Sequence, residues 1–191
     1  MSQLTMEKAK ELLQTTTKQA HMFEHALAVS AAMGAMARHF GADEEHWRAV
    51  GFLHDYDFEM YPDEHLNRTA EPLREAGVDE VSIRAILAHG WGICSDIEPL
   101  TPMEQALFTV DAASALVGAA AKVRPTGIAD MAASSVTKKF KDKSFAATVS
   151  RESIRKGAEM LGIERAEVFA LCIEGMKPYA RELGLLGRSL A

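Results

Sequence analysis

Five polar residues stand on helix faces that are otherwise apolar: His25, His54, Asp55, His89 and Asp111. His25 shares a helical face with Met22, Val29, Met33, Met36 and Phe40. His54 lies in line with Trp47, Val50 and Gly51, and His89 with Val78, Ala85 and, more loosely, Val81. A single inward histidine is more often a hydrogen-bonded core residue than a ligand. Three on successive helices shift the balance toward a shared ligand. Asp111 is the only charged residue from Ala106 to Ala121, between Leu107, Phe108 and Val110 on one side and Leu116 and Val117 on the other. A carboxylate buried in such a face needs a cation against it, either an arginine or lysine or a metal ion. Nitrogen and carboxylate donors without thiolate suit manganese, iron, cobalt, nickel or zinc. His54 and Asp55 are adjacent, and neighbours within a helix point about 100° apart. At a helix end the two can address two sides of one site, with the carboxylate bridging two ions.

The elements that must position these residues read as helices with clear stops. An amphipathic segment over Met6–Thr16 leads into a long pattern from Lys18 to Phe40, which ends at Gly41. Asp43 caps a third helix with Glu44 and Glu45 in its first turn. Pro62 and Pro72 suit the first turns of short helices, the second ending at Gly77. A further helix over Asp79–His89 stops at Gly90-Trp91-Gly92, and Thr101-Pro102-Met103-Glu104 opens one that runs to about Lys122. Three more patterns cover Ile128–Phe140, Arg151–Leu161 and Arg165–Leu183. No alternating strand pattern, internal repeat or long linker interrupts them, which predicts an all-α bundle.

Composition agrees. The chain has 191 residues, 48% hydrophobic and 25% charged, which suits one domain with a sizeable core. A net charge of −6 argues against nucleic acid as the main partner. Cys94 and Cys172 form no metal-binding spacing and read as reduced small hydrophobes. No apolar stretch reaches the length of a membrane span and none forms a signal peptide, so a cytoplasmic protein is expected.

His25, then His54-Asp55, then His89, then Asp111 resembles the metal-binding pattern of the HD-domain superfamily, known mainly as metal-dependent phosphohydrolases. The local settings are similar too: His25-Ala-Leu-Ala-Val, Gly51-Phe-Leu-His54-Asp55, Ile86-Leu-Ala-His89 and Phe108-Thr-Val-Asp111. The resemblance covers roughly residues 20–125. It implies an HD-like bundle over residues 1–191, with the metal-binding core at about 18–125 and a helical extension over 126–191. Two-metal branches of the superfamily carry an extra histidine after the doublet, and the resemblance offers His65 for that place. Its local sequence, Pro-Asp-Glu-His65, reads equally as an exposed first turn. Tyr56-Asp57 replaces the Ile-Gly that commonly follows the doublet.

The resemblance implies one or two divalent ions held by His25, His54, Asp55, His65, His89 and Asp111. The expected reaction is hydrolysis of a small phosphorylated molecule or nucleotide by activated water. Asp57 and Glu59 are candidates to position water or donate a proton, and Lys122 and Arg124 to hold the phosphate of a small anionic substrate. Two alternatives remain: a di-iron oxygenase acting on a small polyol or phosphonate, and a non-enzymatic helical scaffold with a structural metal. His21 is one turn before His25 and reads as partly buried, while His39 and His46 read as solvent-facing. The basic run from Lys138 to Lys156 reads as a solvated helix face.

Overall fold

The structure, a computed structural model, describes residues 3–188. Its α-helices among those residues are α1 (Met6–Thr16), α2 (Ala20–Phe40), α3 (Glu44–Leu53), α4 (Ala70–Glu75), α5 (Glu80–Ala88), α6 (Pro102–Lys122), α7 (Ala133–Lys141), α8 (Arg151–Leu161) and α9 (Arg165–Met176). Two 3-10 turns, Pro62–Glu64 and Lys177–Tyr179, join them. The described residues hold no sheet, only the isolated bridges Trp91 to Ser95 and Gly127 to Leu186. The fold is all-α. None of the described helices is long and apolar enough to cross a membrane.

Two 21-residue helices, α2 and α6, organise the core; at about 1.5 Å per residue each is about 31 Å long. Every residue of α2 from Ala28 to Ala37 is buried, as expected of a helix surrounded on all sides. Helices α3, α6 and α9 pack around it, and α6 in turn carries α5, α7 and α8. Small residues allow this crowding. A Cβ at Gly175 of α9 would run into the Ala31 carbonyl of α2, and one at Gly157 of α8 into Thr109 of α6. The segments beyond Pro125 therefore share one hydrophobic cluster with α2 and α6.

The caps follow the sequence. Asp43 accepts from the His46 amide and Asp79 from the Ser82 amide, each opening its helix. At α6 the Thr101 side chain and Glu104 carboxylate cap each other's backbone reciprocally. Two predicted ends move by more than two residues. Helix α7 starts at Ala133 rather than Ile128, because the Ile128 amide donates to the Leu185 carbonyl and ties residues 127–128 to the C-terminal segment. Helix α9 stops at Met176 rather than Leu183, because Pro178 has no amide hydrogen to continue the ladder. Cys94 is half-buried and Cys172 buried, both as free thiols.

Candidate metal centre

Six side chains converge from four helix segments and a loop. His25 comes from the second turn of α2 and Asp111 from the middle of α6. His54 and His89 are the C-cap residues of α3 and α5, Asp55 follows His54, and His65 follows the 3-10 turn at Pro62–Glu64. Asp55 is the hinge of the arrangement. Its Oδ2 lies 3.3 Å from His54 Nε2 and 3.5 Å from His25 Nε2. Its Oδ1 lies 3.3 Å from His65 Nε2 and 3.6 Å from His89 Nε2. Asp111 Oδ1 completes the first group, 3.1 Å from His25 Nε2 and 3.6 Å from His54 Nε2. Three overlapping trios, His25–His54–Asp55, His54–His89–Asp111 and Asp55–His65–His89, each place one donor atom per residue within 4.8 Å of the others and could hold a metal ion.

The histidines are aimed by their other nitrogen. The Nδ1 of His54 is 2.8 Å from the Gly51 carbonyl, and that of His89 is 2.6 Å from the Ile86 carbonyl. Both acceptors lie three residues back in the last helical turn, where carbonyls have acceptor capacity to spare; the Ile86 carbonyl also accepts from the His89 amide at 3.3 Å. A carbonyl can only accept, so each ring carries a proton on Nδ1 and turns its Nε2 inward. His65 is set the same way by a carboxylate: its Nδ1 is 2.7 Å from Asp57 Oδ1. Asp57 also accepts from the Leu66 amide at 3.1 Å and the Arg68 amide at 3.3 Å. That grip holds Leu66 at φ 69°, an uncommon conformation for a residue with a Cβ. Phe58 packs edge-on against the His65 ring at 5.1 Å. Gly90, next to His89, lets the two loops close: a Cβ there would meet Leu66 Cδ1 at 2.5 Å and Cys94 Sγ at 2.6 Å.

Electrostatically the cluster attracts positive charge. Burial opposes the charge on Asp55, yet the His54 charge and hydrogen bonds with His54, His65 and His89 hold it well below the usual carboxylate range. Asp111 is likewise lowered, with His25 and His54 outweighing its burial. The partners move the other way. Burial alone would lower His54, but Asp55 and Asp111 raise it well above its ordinary value, and Asp55 and Asp57 raise His65 to about 9. The carboxylates stay ionised and draw a cation, whether a proton on imidazole or a metal ion.

The cluster is open on one side only. The His54 side chain is fully buried, while His25 and Asp111 are 28% and 34% exposed. Asp111 is therefore partly exposed at the mouth, where its apolar neighbours had suggested full burial, and the surrounding cluster still desolvates its charge. A cavity of about 280 Å³ adjoins His25 between α2 and α6, with Lys122, His21 and Glu24 among its lining residues.

The remaining candidates divide. Lys122 is exposed and lines that cavity. Arg124 does not face the centre: its guanidinium binds the Gly127 carbonyl, Ser135 and Asp130. Asp57 is buried behind His65, where it orients a ring and touches no open space. Glu59 is outside the cluster, accepting from the Lys18 and Gln19 amides and so capping α2 from a distance. Both acids were expected to handle water or protons; both are consumed by backbone and ring donors. His21 is exposed at the cavity rim rather than partly buried. His46 is half-buried against Ser82 Oγ at 2.8 Å rather than solvent-facing, and Val81 is 59% exposed, off the face assigned to His89. His39 is exposed as expected. In the basic run, Arg151 binds the Ala146 and Val149 carbonyls and Arg155 pairs with Glu152, leaving Lys138, Lys141 and Lys143 exposed. What the sequence did not reveal was the role of the Gly51 and Ile86 carbonyls, although a histidine just past a helix end is a readable signal for it.

No protein-family model and no curated protein matches the chain.

Proposed function

We propose that this chain is an HD-type metal-dependent phosphohydrolase that cleaves a small phosphorylated molecule in the cytoplasm. The observation that carries the reading is the Asp55 carboxylate placed between two groups of donors, one oxygen toward His25 and His54 and the other toward His65 and His89. The donor set fits divalent ions. It offers only imidazole nitrogens and carboxylate oxygens, at least three of its rings are fixed to present Nε2, and its carboxylates stay ionised. His25, His54, Asp55 and Asp111 would hold one ion, and Asp55, His65 and His89 a second. Bound there, such ions supply water acidic enough to ionise near neutral pH and neutralise charge on a phosphoryl oxygen.

The chain's own residues do the rest. Asp57 and the two helix-end carbonyls keep the rings from turning. The buried walls at His54, His65 and His89 exclude bulk water on the inner side, so the ester approaches from the His25 and Asp111 side. Lys122, at that side, attracts the anionic substrate. In the reaction the water oxygen forms a bond to phosphorus, the ester P–O bond breaks, and the proton released from water ends on the leaving alcohol.

The test is metal content of protein purified without chelator, beside release of phosphate from a panel of small esters. Near two ions per chain, lost together with phosphate release in the His54→Ala/Asp55→Ala variant, supports the reading. Absence of binding after addition of manganese, iron or zinc refutes it. A second reading, oxidation of a small polyol or phosphonate by two irons, is favoured by the place of His65 within the donor set. Two irons per chain with dioxygen consumption and no phosphate release would select it.

A further inference from the structure

Resting on the hydrolase reading, we propose that the cavity between α2, α6 and the C-terminal segment takes the organic part of the substrate. That part is a short, mostly apolar chain ending in a single carboxylate or phosphate, which Lys122 holds. The cavity begins at a candidate metal ligand, His25, so a group bound at the cluster continues directly into it. On α6 its lining follows one face, Ser114, Ala115, Gly118, Ala119 and Lys122, with a three- or four-residue period that starts at Asp111. Eleven residues separate Asp111 from Lys122, about 16 Å along the axis, and a lysine side chain reaching back shortens that span. The phosphoryl end and the Lys122 end of the substrate are thus joined by a chain of several atoms.

The walls set the chemistry. Ala28 of α2 faces the small residues of α6, and Met176, Leu183 and Leu185 close the far side, which is apolar. These three come from the C-terminal part of the chain, so the extension shapes the pocket as well as covering the core. The volume of about 280 Å³ is at the lower end of small-molecule sites, about 300–1,000 Å³, and suits a compact body. Of the two cations at the end of α6, Arg124 is paired with Asp130, whereas Lys122 makes no ion pair among the described residues. Glu24 at the same rim disfavours a body anionic along its length, such as a polyphosphate, and favours one acid at one end.

The probes are straight-chain phosphate monoesters with two to six carbons, each with and without a terminal carboxylate, tested on metal-loaded protein. Wild type is expected to prefer the carboxylates, with a kcat/KM ratio of acid to neutral ester above about tenfold at the best length. Lys122→Met removes most of that ratio. Gly118→Leu moves the best length to shorter chains and lowers kcat/KM for the six-carbon acid by more than about tenfold, because a Cβ at Gly118 meets only Met176 Cε, at 3.9 Å, and points into open space. Metal content equal to wild type shows that both variants fold. Phosphate release from all esters with no preference for acid or length, unchanged in both variants, overturns the cavity assignment and leaves the hydrolase reading standing. No phosphate release from any ester counts against the hydrolase reading, and calorimetric binding of the six-carbon carboxylate then decides the cavity. Weaker binding in both variants upholds it, and equal binding in all three proteins overturns it.

Discussion

Replacing Asp57 by asparagine separates the two halves of the cluster. Asp57 is 1% exposed and accepts three hydrogen bonds, from His65 Nδ1 at 2.7 Å and from the Leu66 and Arg68 amides at 3.1 and 3.3 Å. Asparagine has one oxygen to offer, and its amide nitrogen would face a donor. The His65 bond changes from charge-assisted to neutral, a loss of about 1–1.5 kcal/mol, and each 1.4 kcal/mol is about tenfold in affinity. Added freedom of the ring carries the effect further, within the 10–100-fold typical when the partner of a ligating histidine is removed. The ion held through His65, His89 and Asp55 Oδ1 should therefore bind about 10–100-fold more weakly. The ion held through His25, His54 and Asp111 should change by less than about threefold, since Asp57 touches none of those residues. Calorimetric titration of chelator-treated protein with manganese or zinc resolves the two events. Equal weakening of both, or of neither, would refute the assignment of Asp57 as the residue that aims His65.

Four further outcomes follow from the same geometry. Asp55→Ala should cost both ions and His65→Ala only one, counted by elemental analysis; equal losses would show that Asp55 does not span two sites. Chelation should lower the melting temperature by roughly 10–20 °C against protein with each of two ions at 100 times its Kd, from about 2.7 kcal/mol of binding stabilisation per ion; an unchanged melt would mean that no ion is bound. Gly175→Ala should destabilise by about 1–3 kcal/mol, because the new methyl meets the backbone of α2 and α9 must move, which denaturant unfolding reads directly. Glu104 is depressed below its ordinary value of 4.5: burial raises it, but Arg84 and the Thr101 and Leu100 amides lower it more. A depressed value stabilises fully above pH 4.5 and is lost as pH falls below it. Glu104→Gln should thus be weaker by about 1–2 kcal/mol at pH 7, with the gap to wild type closing as pH falls below 4.5 through the depressed value; a gap independent of pH would refute the sign.

Where local signals were strong, the helices were legible in sequence. The bounds of α1 and α8, the Gly41 stop, the Asp43 cap and the Thr101–Glu104 capping box all follow from residue type alone. Both misplaced ends depend on something periodicity does not carry: a long-range pairing of Ile128 with Leu185, and a proline inside an otherwise apolar helical pattern. Five of the six donors, His25, His54, Asp55, His89 and Asp111, were legible as a set because polar residues are rare on apolar helix faces, and His65 was offered only by the resemblance. Local sequence did not say that His65 would turn inward; Asp57 and the left-handed turn at Leu66 bring that about through contacts across the loop. Arg124 illustrates the opposite limit. Its position beside Lys122 suggested a shared role, but Asp130 and the Gly127 carbonyl, six and three residues on, hold its guanidinium away.

The two halves of the cluster are supported differently, and the difference bears on how it works. His25 and Asp111 stand in the interiors of the two central helices, whose backbones are fixed by burial on many sides. His65 stands on a loop whose shape depends on one buried carboxylate and on a backbone conformation that costs energy for leucine. Asp55 links the two, since moving its carboxylate disturbs both groups of nitrogens. His25 and Asp111 are also the exposed members of the cluster, so the mouth that meets solvent and the cavity is carried by the two central helices. The loop-borne half is buried, and residues 65–69 line no part of the cavity beside His25, so a change at Asp57 should alter a histidine donor without disturbing those walls.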